Sequence, residues 1–298
     1  MAKPRRQQGI LTGMPFMANL ASRTFVDALG RKLYVANPPR RVISLAPSIT
    51  EILYALDLGE RIAGVTPYCN FPPEAQLKPK VSYARPNLEA IVAQQPDLVL
   101  APIEFLRVDL LKKLEQLKIS VFVLESKTVE DIYAHIQTLG RMFGRASQAD
   151  RLAADLRRRV EELKGHTDGL PRPRLLYVLN SEPLITVGPG SFIHHLIELA
   201  GGHNIADQAG SAYPRFSMEA VIQADPEVIV FPVGDAEGIP EAQQRRWRRW
   251  TSLTAVQQER FHRIPADLLN RPGPRIVQGL EALARIVHPE AFQEPAGR

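Results

Sequence analysis

Two stretches of this chain are near-copies of one another, and that repetition narrows the folds open to it. Tyr83–Pro102 reads YARPNLEAIVAQQPDLVLAP and Tyr213–Pro232 reads YPRFSMEAVIQADPEVIVFP, in step without a gap at an offset of 130 residues. Each carries Tyr-x-Arg-x-(Asn/Ser)-x-Glu, a short amphipathic run, a Pro and then an apolar run. A capping Asn or Ser before periodic apolar residues predicts a helix, and the apolar run after Pro predicts a buried strand. A lone copy would make Glu89 merely an acid in a first helical turn, where the helix dipole favours it by roughly 0.3–1 kcal/mol. Two copies, with Glu219 at the matching place, imply two similar lobes.

The rest of the sequence extends the pattern. Residues 23–39 alternate apolar and polar around Gly30, which predicts a small hairpin. RVISLAP (41–47) is a short apolar strand, and SITEILYALDLG (48–59) is a helix in which Ser48 and Glu51 have capping-box spacing before Gly59. Strand and helix then alternate through RIAGVTP, NLEAIVAQQ, DLVLA, DLLKKLEQL, SVFVLE and TVEDIYAHIQTLGRMFG, as a parallel sheet covered on both faces requires. Residues 146–166 break the rhythm with one long charged helix, apolar at Leu152, Leu156, Val160 and Leu163, ended by GLPRPR. The β-α pattern then restarts with LLYVLN and SFIHHLIELAGG, and closes on RIVQGLEALARIVHP. The expected fold is therefore α/β: two Rossmann-like lobes with parallel-type sheets, joined by a single long backbone helix, with a ligand cleft between the lobes. The boundaries are a leader at 1–22, an N-terminal lobe at 23–145, the linking helix at 146–168 and a C-terminal lobe at 169–298.

Composition excludes several alternatives. With 45% apolar and 23% charged residues in 298, the chain has an ordinary globular composition. A net charge of +5, from 37 basic and 32 acidic residues, is a weak pointer to nucleic acid. The segment QQRRWRRW (243–250) places Trp247 and Trp250 at i and i+3, an apolar stripe on a solvated helix. The single cysteine, Cys69, excludes an internal disulfide and reads as a small packing residue, since no base partner for a nucleophile is visible. His194 and His195 are adjacent on a helix and diverge by about 100°, so they do not share a metal. No apolar run reaches the roughly 18–20 residues of a membrane-spanning helix. The first 22 residues read either as a weak secretory signal, basic AKPRR before a broken apolar run, or as an unstructured leader.

Ligands of α/β sheets bind at the carboxyl ends of the strands, and two facing lobes make a cleft there. Tyr83 and Tyr213 precede their helices in loops that can line it, and aromatic walls suit a flat or bulky apolar ligand. Arg85, Arg215 and Arg271 flank the same loops and can grip polar groups of the ligand. Glu89 and Glu219 form a matched pair of acids suited to a basic partner surface.

In the order RVISLAPSITEILYALDLGERIAGVTPYCNFPPEA (41–75), NLEAIVAQQPDLVLAP (87–102), GGHNIA (201–206), SMEAVIQADPEVIV (217–230) and RPGPRIVQGLEALARIVHP (271–289), the chain resembles the class III periplasmic substrate-binding proteins of ABC importers, the iron-siderophore and cobalamin group. VTPYCNFPPEA and the spacing of Tyr83 before Glu89 are most similar to its cobalamin-binding branch. The resemblance implies an extracytoplasmic, non-enzymatic monomer that holds a small metal-chelate ligand, cobalamin or another corrinoid, and delivers it to a membrane permease. It implies ligand contacts at Pro47, Ser48, Tyr68, Tyr83, Arg85, Tyr213, Arg215, Leu268 and Arg271, with aromatics against the corrin ring. Leu268 and two of the tyrosines stand where that branch carries Trp. It also implies permease docking through Glu89 and Glu219, with no catalytic residue, resident cofactor or metal, and no nucleic-acid partner. A ferric siderophore or heme is the alternative cargo within the family. A cytoplasmic enzyme or sensor on the same fold is the alternative outside it.

Overall fold

The computed structural model of the chain describes residues 23–81, 87–234 and 238–293. The leader at 1–22 lies outside them, as do Tyr83 and Arg85. Among the described residues no helix is long and apolar enough to cross a membrane.

The expected hairpin opens the structure: β1 (Thr24–Val26) and β2 (Lys32–Tyr34) pair antiparallel around Gly30, whose φ of 74° costs a residue without Cβ little. Then come β3 (Val42–Ser44), α1 (Pro47–Ala55), β4 (Ile62–Val65), α2 (Leu88–Ala93), β5 (Leu98–Pro102), α3 (Val108–Gln116), β6 (Ser120–Leu124) and α4 (Val129–Phe143). Their strands form a parallel sheet in the order β4-β3-β5-β6. After the long helix α5 (Ala146–Thr167), the pattern repeats with β7 (Arg174–Tyr177), a small antiparallel pair β8 (Asn180–Ser181) and β9 (Leu184–Ile185), α6 (Phe192–Leu199), β10 (His203–Asn204), α7 (Met218–Ala224) and β11 (Val228–Val233). The chain finishes with α8 (Glu241–Arg246), α9 (Thr254–Gln257), β12 (Phe261–Pro265), α10 (Ala266–Leu269) and α11 (Ile276–Val287). The second sheet is parallel as well, in the order β10-β7-β11-β12.

Alternation along the strands sorts side chains to two faces. In β5, Val99 and Ala101 pack with Ile91, Leu110 and Leu114 of the outer helices, while Leu98 and Leu100 face the other way. In β11, Ile229 and Phe231 pack outward with Trp247, while Val228 and Val230 face inward. The inward faces of both sheets join one apolar cluster, continuous through Ala149, Ala153, Leu156 and Val160 of α5. The helix is thus amphipathic because it is the shared wall of both lobes, with its charged face in solvent. It starts tightly: α4 ends on Gly144 in the left-handed conformation, and a Cβ on Gly140 would come within 2.2 Å of the Ala149 Cβ. Trp247, on a 3-10 turn after α8, is buried edge-on against Phe231, so it belongs to the core of the C-terminal lobe.

One local expectation is overturned. Ser48 and Glu51 do not form a capping box. The cap of α1 is Ala46, with no side-chain hydrogen bond, and Pro47 starts the helix with its φ already suited to it. Glu51 is instead nearly buried and turned toward the other lobe.

Candidate functional site

A cleft of about 580 Å³ lies between the lobes, and its lining comes from loops that follow strand ends in both sheets. Ala46, Pro47 and Ser48 follow β3, Tyr68 follows β4, Pro102 and Glu104 end and follow β5, and Ser126 follows β6. From the other lobe come Leu179 after β7, Phe192 and Ile193 at the start of α6, Tyr213 before α7, and Leu269 to Pro272 after β12. The carboxyl-end rule for α/β sheets accounts for almost all of them.

The walls are held from behind. Thr50 Oγ1 lies 2.8 Å from Ser44 Oγ and 3.1 Å from Cys69 Sγ, and Cys69 Sγ also contacts Thr66 Oγ1 at 3.2 Å. Cys69 is buried in that cluster, as a packing residue should be, which leaves its neighbour Tyr68 facing the opening. The start of α1 also opens onto the cleft, so its unpaired backbone N–H groups can meet an acceptor there. Across the cleft, Tyr177 donates its hydroxyl to Asn270 Oδ1 at 2.8 Å and so fixes that amide. Tyr213 is half-exposed at the rim, where partial desolvation and then the Glu104 charge raise the pKa of its phenol. Desolvation also raises the Glu104 carboxyl above its ordinary range, opposed by a hydrogen bond from its own backbone amide, with Glu125 adding to the rise and Lys127 opposing it.

The cleft floor is ionic and crosses between lobes. Arg275 forks onto Glu51, with Nε 2.9 Å from Oε2 and Nη2 2.6 Å from Oε1. Its guanidinium also stacks 4.0 Å from the centroid of the Phe71 ring. Arg271 donates from Nη1 to Asn70 Oδ1 at 2.6 Å and pairs from Nη2 with Asp267 at 2.7 Å, with Glu51 4.0 Å away. Glu51, Asn70 and Phe71 belong to the N-terminal lobe, and the two arginines to the C-terminal one. Burial pushes the Glu51 carboxyl up, against the pull of Arg275 and then Arg271. Such a pair gives direction and register more than net stability.

Of the ligand contacts expected from sequence, Pro47, Ser48, Tyr68, Tyr213 and Arg271 line the cleft. Leu268 does not; its backbone oxygen abuts Gly279 of α11, and its neighbours Leu269 and Asn270 take the wall. Arg215 is exposed away from the lining, on backbone that bridges Ile185. Tyr83 and Arg85 lie outside the described residues. Sequence reading missed Glu104, Ser126, Leu179, Phe192, Ile193 and Asn270; position just past a strand, or at the start of the following helix, was the available signal. Glu89 and Glu219 are both exposed on the second residue of α2 and α7, after side-chain caps from Asn87 and Ser217. Hydrogen bonds from its own backbone amide and from Ser217 hold the Glu219 carboxyl below its ordinary pKa. His194 and His195 do diverge: His194 Nδ1 meets Asn204 at 2.9 Å, and His195 Nε2 lies 3.6 Å from Glu130.

Two parallel α/β sheets, one bridging helix and a cleft at the facing strand ends define a class III solute-binding protein, which captures a ligand without converting it. The chain belongs to the family described as "Periplasmic binding protein", whose sequence model matches residues 42–268. It is 33% identical over 252 residues to the vitamin B12-binding protein of Vibrio cholerae serotype O1, covering 82% of this chain and 87% of that protein. It is 28% identical over 279 residues to an uncharacterized ABC transporter substrate-binding lipoprotein of Bacillus subtilis, covering 91% and 87%. Among solved structures, the periplasmic vitamin B12 binding protein of Vibrio cholerae superposes with a TM-score of 0.76 at 31% identity, over 86% of this chain and 99% of that one.

Proposed function

We propose that this chain, a substrate-binding protein of an ABC importer working outside the cytoplasm, captures cobalamin or a related corrinoid and hands it to a membrane permease. The observation that carries the reading is the composition of the cleft. Tyr68 and Tyr213 lie on opposite lobes, with Leu179, Phe192, Ile193 and three prolines between them, and polar groups are few. A corrin ring needs that arrangement: apolar and aromatic surface for its faces, sparse hydrogen-bonding groups for the amides around its edge. Ser48, Ser126 and Asn270 supply the latter. The similarity to vitamin B12-binding proteins supports the same cargo.

Capture requires little movement. The continuous core along α5 and the ionic floor both tie the lobes together, so closure amounts to a small tightening of the rims. By their match to Tyr213 and Arg215 in the sequence repeat, Tyr83 and Arg85 are proposed as further ligand contacts, and Glu89 and Glu219 as acids that dock on arginines or lysines of the permease.

The test is a titration of the purified protein with cyanocobalamin, hemin and a ferric siderophore, read by heat and absorption. Cyanocobalamin is expected to bind at micromolar concentration or below. Tyr213→Ala is expected to weaken it at least tenfold, since losing roughly 100 Å² of apolar contact costs about 2.5 kcal/mol. Binding of hemin or the siderophore with no response to cyanocobalamin would overturn the reading.

A further inference from the structure

The charge inside the cleft is lopsided. At its floor, Arg271 and Arg275 face Glu51 and Asp267, two cations against two carboxylates within 4.0 Å, so the cluster is neutral and its guanidiniums are engaged. Beside the N-terminal wall, Lys127 Nζ is paired with Glu125 at 2.7 Å. Glu104 remains. It is an exposed residue of the cleft lining whose carboxyl is partly desolvated there, and its charge is felt by Tyr213 on the opposite lobe. Among the described residues the cation of the lining, Arg271, is paired with Asp267, and Lys127 nearby is paired with Glu125.

We infer that Glu104 is a specificity-determining residue that selects ligands edged with neutral amides against ligands edged with carboxylates. The proposal rests on the corrinoid reading and refines it. An amide NH₂ donates to a carboxylate, and a charge-assisted hydrogen bond of that kind is about twice as strong as a neutral one. A ligand carboxylate held in the same place is repelled instead. Two like unit charges 4 Å apart in water repel by about 1 kcal/mol, roughly fivefold in affinity, and by more where the walls exclude water. Heme and many siderophores carry carboxylates at their periphery, whereas the mature corrinoid edge is amidated. One acid at the rim therefore separates the two classes without altering the apolar walls that either macrocycle can use.

The experiment compares two corrinoids with the same ring. Dicyanocobinamide presents amides around its edge, and dicyanocobyrinic acid presents carboxylates. Dissociation constants for both are measured with the unaltered protein, Glu104→Gln and Glu104→Lys, at low and high salt. The unaltered protein is expected to prefer the amide compound at least tenfold. That preference is expected to shrink about fivefold in Glu104→Gln, to shrink further in Glu104→Lys, and to fall with salt only where Glu104 is present. A preference that stays the same in both variants, while both compounds still bind, overturns the proposal and leaves the corrinoid reading standing. Failure of the unaltered protein to bind either compound overturns the corrinoid reading and this proposal with it. Glu104 is exposed, so both variants are expected to fold; matched melting temperatures check this.

Discussion

In the N-terminal lobe, α2 begins after the cap Asn87 and carries Glu89 on its second residue; in the C-terminal lobe, α7 begins after Ser217 and carries Glu219 there. The helices end near Pro96 and Pro226, and each feeds a buried strand, β5 or β11. Past the strands the copies part. β5 runs on through Pro102 into Glu104 on the cleft wall, while β11 leaves through Gly234 toward α8. The scaffold and its outward acids repeat; the segments that leave β5 and β11 do not. The two lobes thus match in their exposed acids and differ in what they bring to the cleft.

The equality of the outward acids gives the largest expected effect. Reversing both Glu89 and Glu219 to Lys should abolish uptake in a transport assay and leave ligand affinity unchanged. Each single reversal should impair uptake to a similar degree. Loss of ligand binding in the double variant would move these acids into the cleft.

The cleft floor is a second place where the lobes differ, since one supplies the acid and the other the arginines. Glu51→Ala leaves Arg275 and Arg271 short of a counter-charge in a buried position. It should cost about 3–5 kcal/mol in denaturant unfolding. Removing Glu281 from its exposed pair with Arg285 on α11 should cost no more than about 0.5 kcal/mol. Equal losses would mean that the floor is no stronger a tie than a surface pair.

A third asymmetry is confined to the N-terminal lobe. His135 of α4 is mostly buried beside Ser126, and burial lowers its pKa from 6.5 to about 4, with Asp131 opposing. The unfolded chain therefore binds a proton that the folded one refuses. Stability is lost as pH falls from about 6.5 toward 4, by up to about 3 kcal/mol. His135→Gln should flatten that part of the stability–pH curve. An unchanged slope would assign the loss to other groups.

The smallest expected effect tests the repeat at its most local. Asn87→Ala and Ser217→Ala should each cost about 1 kcal/mol, because each removes the side-chain acceptor at the start of its helix. Markedly unequal costs would show that the two copies are not energetically equivalent.

Much of the fold could be read from the sequence because its signals are local. Caps at Asn87 and Ser217, the apolar runs in DLVLA and VIVF, and the charged stripe over 146–166 each act within a few residues. The shape of the cleft depends on contacts between residues far apart in the chain, which local sequence patterns show only in part. Glu51 satisfied a local capping rule, yet its partner Arg275 lies 224 residues away. Leu268 stands at a motif position that the family resemblance links to the ligand, while packing of α10 on α11 hands the wall to Leu269 and Asn270. Glu104 has no motif; only its place just past a strand pointed to the cleft.

The apolar cluster along α5 has a thermodynamic consequence. Val42, Leu100 and Phe122 of one sheet and Leu175, Val230 and Ile264 of the other are buried in a single core that neither half completes alone. A cut at residue 145 would strip each fragment of the surface it folds against, so the halves are not separable modules despite their repeated sequence. Heat should melt the molecule in one cooperative step. A ligand seated in the cleft should raise the melting temperature of both lobes together, by an amount set by its concentration relative to its dissociation constant.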